Sequence, residues 1–277
     1  MAMSRTETAL FEATGPKARR RIIIGTIVSI LALIALGVWI VYRFYIKGQL
    51  ESQYWYFFSQ INVWAFIGAG LVGTIRAAIG SGIIALIMGL VLMFGRMSKI
   101  APVRWLATAV IEFLRGTPTL LFIYFMFLVP AQLGLHISTY WMVVIPTSAY
   151  ASAVLAEVYR SGVAAVPFGQ KEAGLSLGFT RAQNFVHIIL PQTMRIVTPA
   201  LVAQLVVVVK DTTFGYVVTY PELMVNAKVI IANFSSLVPV YLVVSIIYVL
   251  VNYAISRLAN WLLHREAAHV TSDESRN

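Results

Sequence analysis

Between Glu172 and Pro191 the chain reads EAGLSLGFTRAQNFVHIILP, a polar interruption between runs apolar enough to enter a membrane. Exposed backbone and charge cannot sit in hydrocarbon, so this segment has to lie outside the bilayer and to bind something there. Its local signals are specific. Pro167, Phe168 and Gly169 suit a turn, Gln170 to Leu177 has the length of a short helix, and Gly178 supplies a left-handed stop. Thr180 suits the N-cap of a second helix carrying Arg181, Gln183, Phe185, His187 and Ile188, a run that Pro191 is expected to break. Two short helices across a glycine make a stiff protrusion, which can transmit a push where a flexible loop would absorb it.

Composition places the chain before any motif does. Of 277 residues 59% are apolar and only 12% charged, and the mean hydropathy is +0.81. Several runs approach the length needed to cross roughly 30 Å of hydrocarbon, so this is an integral membrane protein. The runs are continuous and lack the alternation of a barrel strand, which makes helices the expected spans. Cysteine is absent, which excludes disulfides, thiolate chemistry and cysteine-ligated metal.

Six spans are expected, at about 22–46, 69–94, 105–129, 139–159, 196–218 and 238–263. The first follows the basic cluster Lys17, Arg19, Arg20 and Arg21, and is too long for a removable signal peptide. With the N-terminus in the cytoplasm, fifteen of the 21 basic residues lie in inner segments. Only Arg43, Lys47 and Lys228 fall outside, and Arg76, Arg115 and Lys210 lie within spans. Basic residues are retained on the cytoplasmic side, so both termini and the 172–191 segment are assigned there. The net charge of +10 is thus an orientation signal and not a nucleic acid footprint. Tyr54, Trp55, Tyr56, Phe57, Phe58 and Trp64 fill the outer connection, and Tyr140 and Trp141 open the fourth span, as headgroup-level aromatics do. That connection either anchors the chain at the interface or meets an external partner. The tail from Arg265 is polar and is expected to be disordered.

Glu172-Ala173-Gly174, Gly178 and Ile188-x-Leu190-Pro191 resemble the signature loop of ABC importer permeases. Gly174 stands where the family usually has alanine, a departure worth about 0.5–1 kcal/mol of helix propensity and expected to touch little else. Glu112-Phe-Leu-Arg115-Gly116-Thr117-Pro118, Arg160-Ser161-Gly162, Gly169-Gln170-Lys171-Glu172-Ala173 and Lys210-Asp211-Thr212 are similar to the polar amino acid branch of that family. The leader from Leu10 to Arg21 and Gly48-Gln49-Leu50-Glu51 resemble a permease subunit of the actinobacterial glutamate uptake system.

The resemblance implies an all-α integral membrane protein of about six transmembrane helices, a five-helix type I ABC importer core plus one extra N-terminal helix. The expected organisation is a basic cytoplasmic leader (1–21), the extra helix (22–46), an external interfacial segment (47–68), the permease core (69–264) with a coupling loop at about 165–195, and a cytoplasmic tail (265–277). The resemblance also implies a dimer of ATP-binding subunits at the loop, a related but different second permease subunit, an extracellular or lipid-anchored substrate-binding protein and an amino acid substrate, glutamate. No cofactor is expected in this chain, ATP and Mg belonging to the partner ATPase. Gln170, Lys171, Glu172, Ala173, Gly174, Gly178, Leu190 and Pro191 form the expected coupling segment, with Glu172 the leading contact.

An ionisable group at mid-membrane costs several kcal/mol unless paired or hydrated, so each in-span charge is a pathway candidate. Arg115 lies about ten residues into its span, about 15 Å deep. Glu112 is one turn earlier on the same face, and the two either neutralise each other or meet substrate. Thr117-Pro118 frees a carbonyl and is expected to bend that helix beside the route. Lys210 and Asp211 sit near mid-depth, point about 100° apart and need separate partners. An amino acid offers a carboxylate to Lys210 or Arg76 and an ammonium to Asp211 or Glu157. The alternative for each charge, Thr212 alongside them, is a fixed role in helix packing. Glu157 and Arg160 suit a local ion pair, and the small residues after Arg76 suit close helix contact.

No G-x-x-x-x-G-K-[S/T] pattern is present, so the chain has no phosphate-cradling loop for ATP. The histidines, at 136, 187, 264 and 269, show no metal-ligand spacing. A competing reading is an ion-coupled secondary transporter or channel with Lys210, Asp211 and Arg115 as a relay.

Overall fold

The computed structural model describes residues 15–274, so Arg5, the leader before Gly15 and residues 275–277 with Arg276 lie outside the described residues. Every regular element among them is helical.

Residues up to Tyr56 form one unit. Its helix α1 (Pro16–Ile46) starts with proline in the first turn, where the missing N–H is no loss. It stops at Lys47 and Gly48, the latter at φ +68°. Thirty residues of α1 are long and apolar enough to cross a membrane. Ile22, Leu33, Trp39 and Ile46 are all exposed around it, as suits a helix whose solvent is lipid. Beyond it Trp55 Nε1 donates to the Gln49 carbonyl at 3.3 Å.

The second unit begins at Phe57. Phe57 is buried and stacks on Phe234 with centroids 4.6 Å apart, so this ring is part of the protein core. Helix α2 (Ile61–Arg96) is the central element and starts earlier than the expected 69. Small residues make it central. A Cβ on Gly73 would collide with the Pro221 carbonyl, and Ala77, Ser81 and Ala85 are buried on neighbouring turns.

The expected third span is broken. Helices α3 (Ala101–Gly116) and α4 (Thr119–Gln132) meet at 97°. Pro118 offers no N–H and excludes its predecessor from helical angles, and Thr117 is accordingly extended at φ −101°, ψ 130°. Helix α5 (Thr139–Ala165) then packs along α2 and contributes Leu155, Ala156 and Tyr159 to the core with Ala85, Met93 and Ile111.

The loop between α5 and the next span contains α6 (Phe168–Ser176) and α7 (Arg181–Asn184). Pro191 does not end the second of these, contrary to expectation. A π turn over Phe185–Ile189 widens the backbone and leads directly into α8 (Leu190–Asp211), with Pro191 in its first turn. The wider turn accommodates a ring that cannot donate, and Gln192 Nε2 donates to the Ile188 carbonyl at 3.0 Å. The apolar helical run therefore extends from Arg181 through a 3-10 turn (Thr212–Val218).

Helix α9 (Leu223–Phe234) is short, and α10 (Leu237–Glu274) completes the unit. The last helix continues through residues expected to be disordered from Arg265, as far as Glu274. Among the described residues five helices are long and apolar enough to cross a membrane, or six with the bent pair taken as one span.

Candidate functional site

The 172–191 segment is an elbow closed by two complementary caps. The Gly178 amide donates to the Leu175 carbonyl and the Phe179 amide to the Gly174 carbonyl, with Gly178 at φ +84°. This Schellman closure satisfies the last carbonyls of α6 and needs a residue that tolerates the left-handed region. One residue on, Thr180 and Gln183 form a reciprocal capping box that opens α7.

The limbs are joined in the middle. Asn184 is 2% exposed and donates from Nδ2 to the Lys171 carbonyl at 2.7 Å. Gln192 donates to Gln170 Oε1 at 3.3 Å. Gly174 lies directly under Asn184, and a Cβ there would run into the Asn184 side-chain oxygen and the Ile188 methyl end. The glycine therefore does more than lower helix propensity, which corrects the expectation that it touches little else. Glu172 and Ala173 face outward on α6, and the Glu172 carboxylate has no hydrogen bond or ion pair among the described residues. Leu190 is half-buried and Pro191 exposed at the root of α8.

An ionic cluster ties the end of α2 to the sides of α3 and α5. Arg96 reaches Glu112 at 3.0 Å and Glu157 at 3.1 Å, and Arg160 reaches Glu157 at 2.9 Å. Glu112 is thus satisfied by Arg96 across helices and not by Arg115 one turn away. Glu157 holds its local partner and a second one besides.

Arg115 is released to a cavity of about 400 Å³ at the α3–α4 break. Thr117, Thr119, Tyr150 and Asp211 share its wall. Thr117 Oγ1 donates to the Phe113 carbonyl at 2.9 Å, stabilising the chain end that Pro118 opens. Thr119 and Asp211 stand in the same wall although they come from α4 and α8. One cavity is therefore lined by an arginine and an aspartate from distant parts of the sequence. Lys210 is exposed on another face and lies outside this lining. Arg76 stacks over the Tyr140 ring at 5.2 Å, and the buried Thr212 donates to the Val209 carbonyl at 2.8 Å. The structure thus gathers Arg115, Thr117 and Asp211, and leaves Arg76, Glu112, Glu157, Lys210 and Thr212 out of the cavity.

Glu222 escaped sequence reading. It is fully buried, caps α9 by accepting the Met224 and Val225 amides at 2.8 Å, and accepts the Tyr248 hydroxyl at 2.9 Å. Burial pushes its carboxyl above the ordinary range, and the two amides and the tyrosine pull against that rise. The adjacent Tyr220 hydroxyl donates to the Gly73 carbonyl at 2.9 Å, and Thr74 accepts the Leu223 amide. The Glu-Leu-Met start of an apolar helix was the available cue, since an acid before such a run is a capping signal.

Membrane-length helices, a stiff elbow between two of them and a cavity lined by charged residues at a helix break suit one class of protein, a membrane transport subunit. Residues 81–267 match the family model described as binding-protein-dependent transport system inner membrane component. The chain belongs to this family, as a pore-forming ABC importer permease of the amino acid class whose ATPase is a separate subunit. It is 34% identical over 218 residues to the glutamate transport system permease protein GluD of Corynebacterium glutamicum, covering 77% of this chain and 80% of that one. The probable glutamine permease GlnP of Bacillus subtilis is 31% identical over 205 residues, covering 73% of this chain and 94% of that one. The arginine permease ArtQ of the same organism is 32% identical over 188 residues, covering 67% and 86%. A solved amino acid ABC transporter with histidines superposes with a TM-score of 0.71 at 29% identity, covering 76% of this chain and 98% of that one.

Proposed function

We propose that this chain carries a polar amino acid, glutamate, through the membrane in an importer powered by ATP and Mg bound to a separate pair of ATPase subunits. The observation that carries the reading is the cavity in which Arg115 and Asp211 face one solute-sized space, since a zwitterion offers a carboxylate to one and an ammonium to the other. A lipid-anchored or extracellular binding protein delivers the substrate, and a related second permease subunit completes the pore. Similarity to GluD supports glutamate among the amino acids its relatives are named for.

The elbow faces the cytoplasm in this reading, on the charge distribution of the connections. ATPase closure pushes α6 through Glu172 and its neighbours. Because α7 runs without a break into α8, the push travels along about 45 Å of helix, from Arg181 to Asp211 at the cavity wall. The α3–α4 break is the compliant joint opposite. Closure then turns the cavity outward, and hydrolysis resets it.

The test is reconstitution with the neighbouring ATPase and binding protein, with labelled glutamate uptake competed by aspartate, glutamine and arginine. Strong inhibition by unlabelled arginine with none by glutamate overturns the substrate. Replacing Glu172 is expected to lower uptake and stimulated ATPase activity together. ATP-independent uptake unchanged by that replacement overturns the importer mechanism.

A further inference from the structure

A second cavity, of about 1030 Å³, lies beneath the elbow where α2 and α5 end. Lys99, Arg160, Lys171 and Arg181 line it, from four separate segments, and no carboxylate does. Arg160 is neutralised by Glu157, but Lys99, Lys171 and Arg181 have no ion pair among the described residues. All three are exposed and screened by water, yet three unpaired cations about one hollow raise the local concentration of anions there. The rest of the wall is largely apolar, with Val163, Phe168 and Phe185 among it.

We infer that this cavity holds the phosphate-bearing headgroup of an acidic phospholipid. Met97 and Lys99, just past the end of α2, and Ala164 and Ala165 at the end of α5 line it, so it lies where two membrane-length helices end, as a headgroup site would. Basic hollows between helices at the cytoplasmic face recognise phosphate there, and the apolar wall suits the glycerol and first methylenes. A lipid seated here touches α6, α7 and the end of α5 together. It therefore wedges the elbow at a set distance from the membrane and makes ATPase coupling sensitive to anionic lipid.

The inference rests on the elbow being the cytoplasmic side of the proposed importer, yet its test reads binding and not transport, so the two fail separately. The assembled transporter is taken from vesicles of phosphatidylcholine alone, or of phosphatidylcholine with phosphatidylglycerol, and retained lipid is counted by native mass spectrometry. Wild type is expected to retain phosphatidylglycerol, and Lys99→Gln, Lys171→Gln and Arg181→Gln each to weaken retention by about fivefold. The Lys99→Arg and Lys171→Arg exchanges are expected to preserve it. Inorganic phosphate added to the phosphatidylcholine sample separates the sources: occupancy and raised ATPase activity there with no lipid retained assign the site to free phosphate and overturn the lipid. Equal retention in wild type and the triple glutamine variant overturns the site. Loss of the ATPase subunit from the triple variant with lipid retention unchanged overturns it too, assigning the cations to docking. If the triple variant does not assemble, Lys99→Gln, outside the elbow, is read in the same way.

Discussion

The Asn184 side-chain amide donates to the Lys171 carbonyl at 2.7 Å across the left-handed turn at Gly178. This bond joins the two limbs of the elbow at mid-length and makes them one body. It is possible only because Gly174 leaves the asparagine a place to lie.

Gly174→Ala is expected to loosen the elbow although it improves helix propensity. The gain of about 0.5–1 kcal/mol is set against about 1–3 kcal/mol for displacing a buried, bonded amide. Substrate-stimulated ATPase activity should fall in this variant and fall no further in Gly174→Ala with Asn184→Ala, since both changes remove the same bond to Lys171. A double variant worse than the single would refute the packing account.

Arg115→Ala and Asp211→Asn should each raise the KM for uptake by about 10- to 100-fold, the loss of one charge-assisted bond of about 1.5–3 kcal/mol. The same changes at Lys210 should have less effect, because that side chain is outside the cavity. Initial uptake rates against substrate concentration in vesicles decide the matter.

Removing Arg96 strips two acids of one cation, while removing Glu112 takes away a mostly exposed acid. Arg96→Ala should cost about 1–3 kcal/mol and Glu112→Ala under about 1 kcal/mol. Thermal midpoints of the assembled complex should follow that order.

Burial raises the folded-state pKa of Glu222 above its unfolded value, so the folded protein holds the proton more tightly. Its contribution to stability is full below the unfolded pKa and declines as pH rises through the folded one. The thermal midpoint of wild type should therefore fall with rising pH above the ordinary carboxylate range. In Glu222→Gln that component of the slope should vanish, and an unchanged slope would exclude Glu222 as its source.

Much of this molecule was legible locally. The elbow's stop at Gly178 and start at Thr180 need only neighbouring residues, and the break at Thr117-Pro118 follows from a missing N–H and a steric clash. The rule that proline ends a helix failed at Pro191, because a π turn re-spaced the backbone before it and kept the run continuous. Glu112 was legible as an acid needing a cation, but Arg96 reaches it from another helix.

Sequence by itself determined the solvent and the local geometry: apolar runs require lipid, and glycine, threonine and proline set turns through backbone sterics within a few residues. Beyond the local pair of Glu157 and Arg160, tertiary structure decided which charges meet. Arg115 and Asp211 come from separate helices and share a wall only after α3, α4 and α8 have packed, and Glu222 finds Tyr248 in the same way. The physical reason is range: backbone torsions are settled by adjacent atoms, whereas a charge in low dielectric is settled by whichever partner packing brings near.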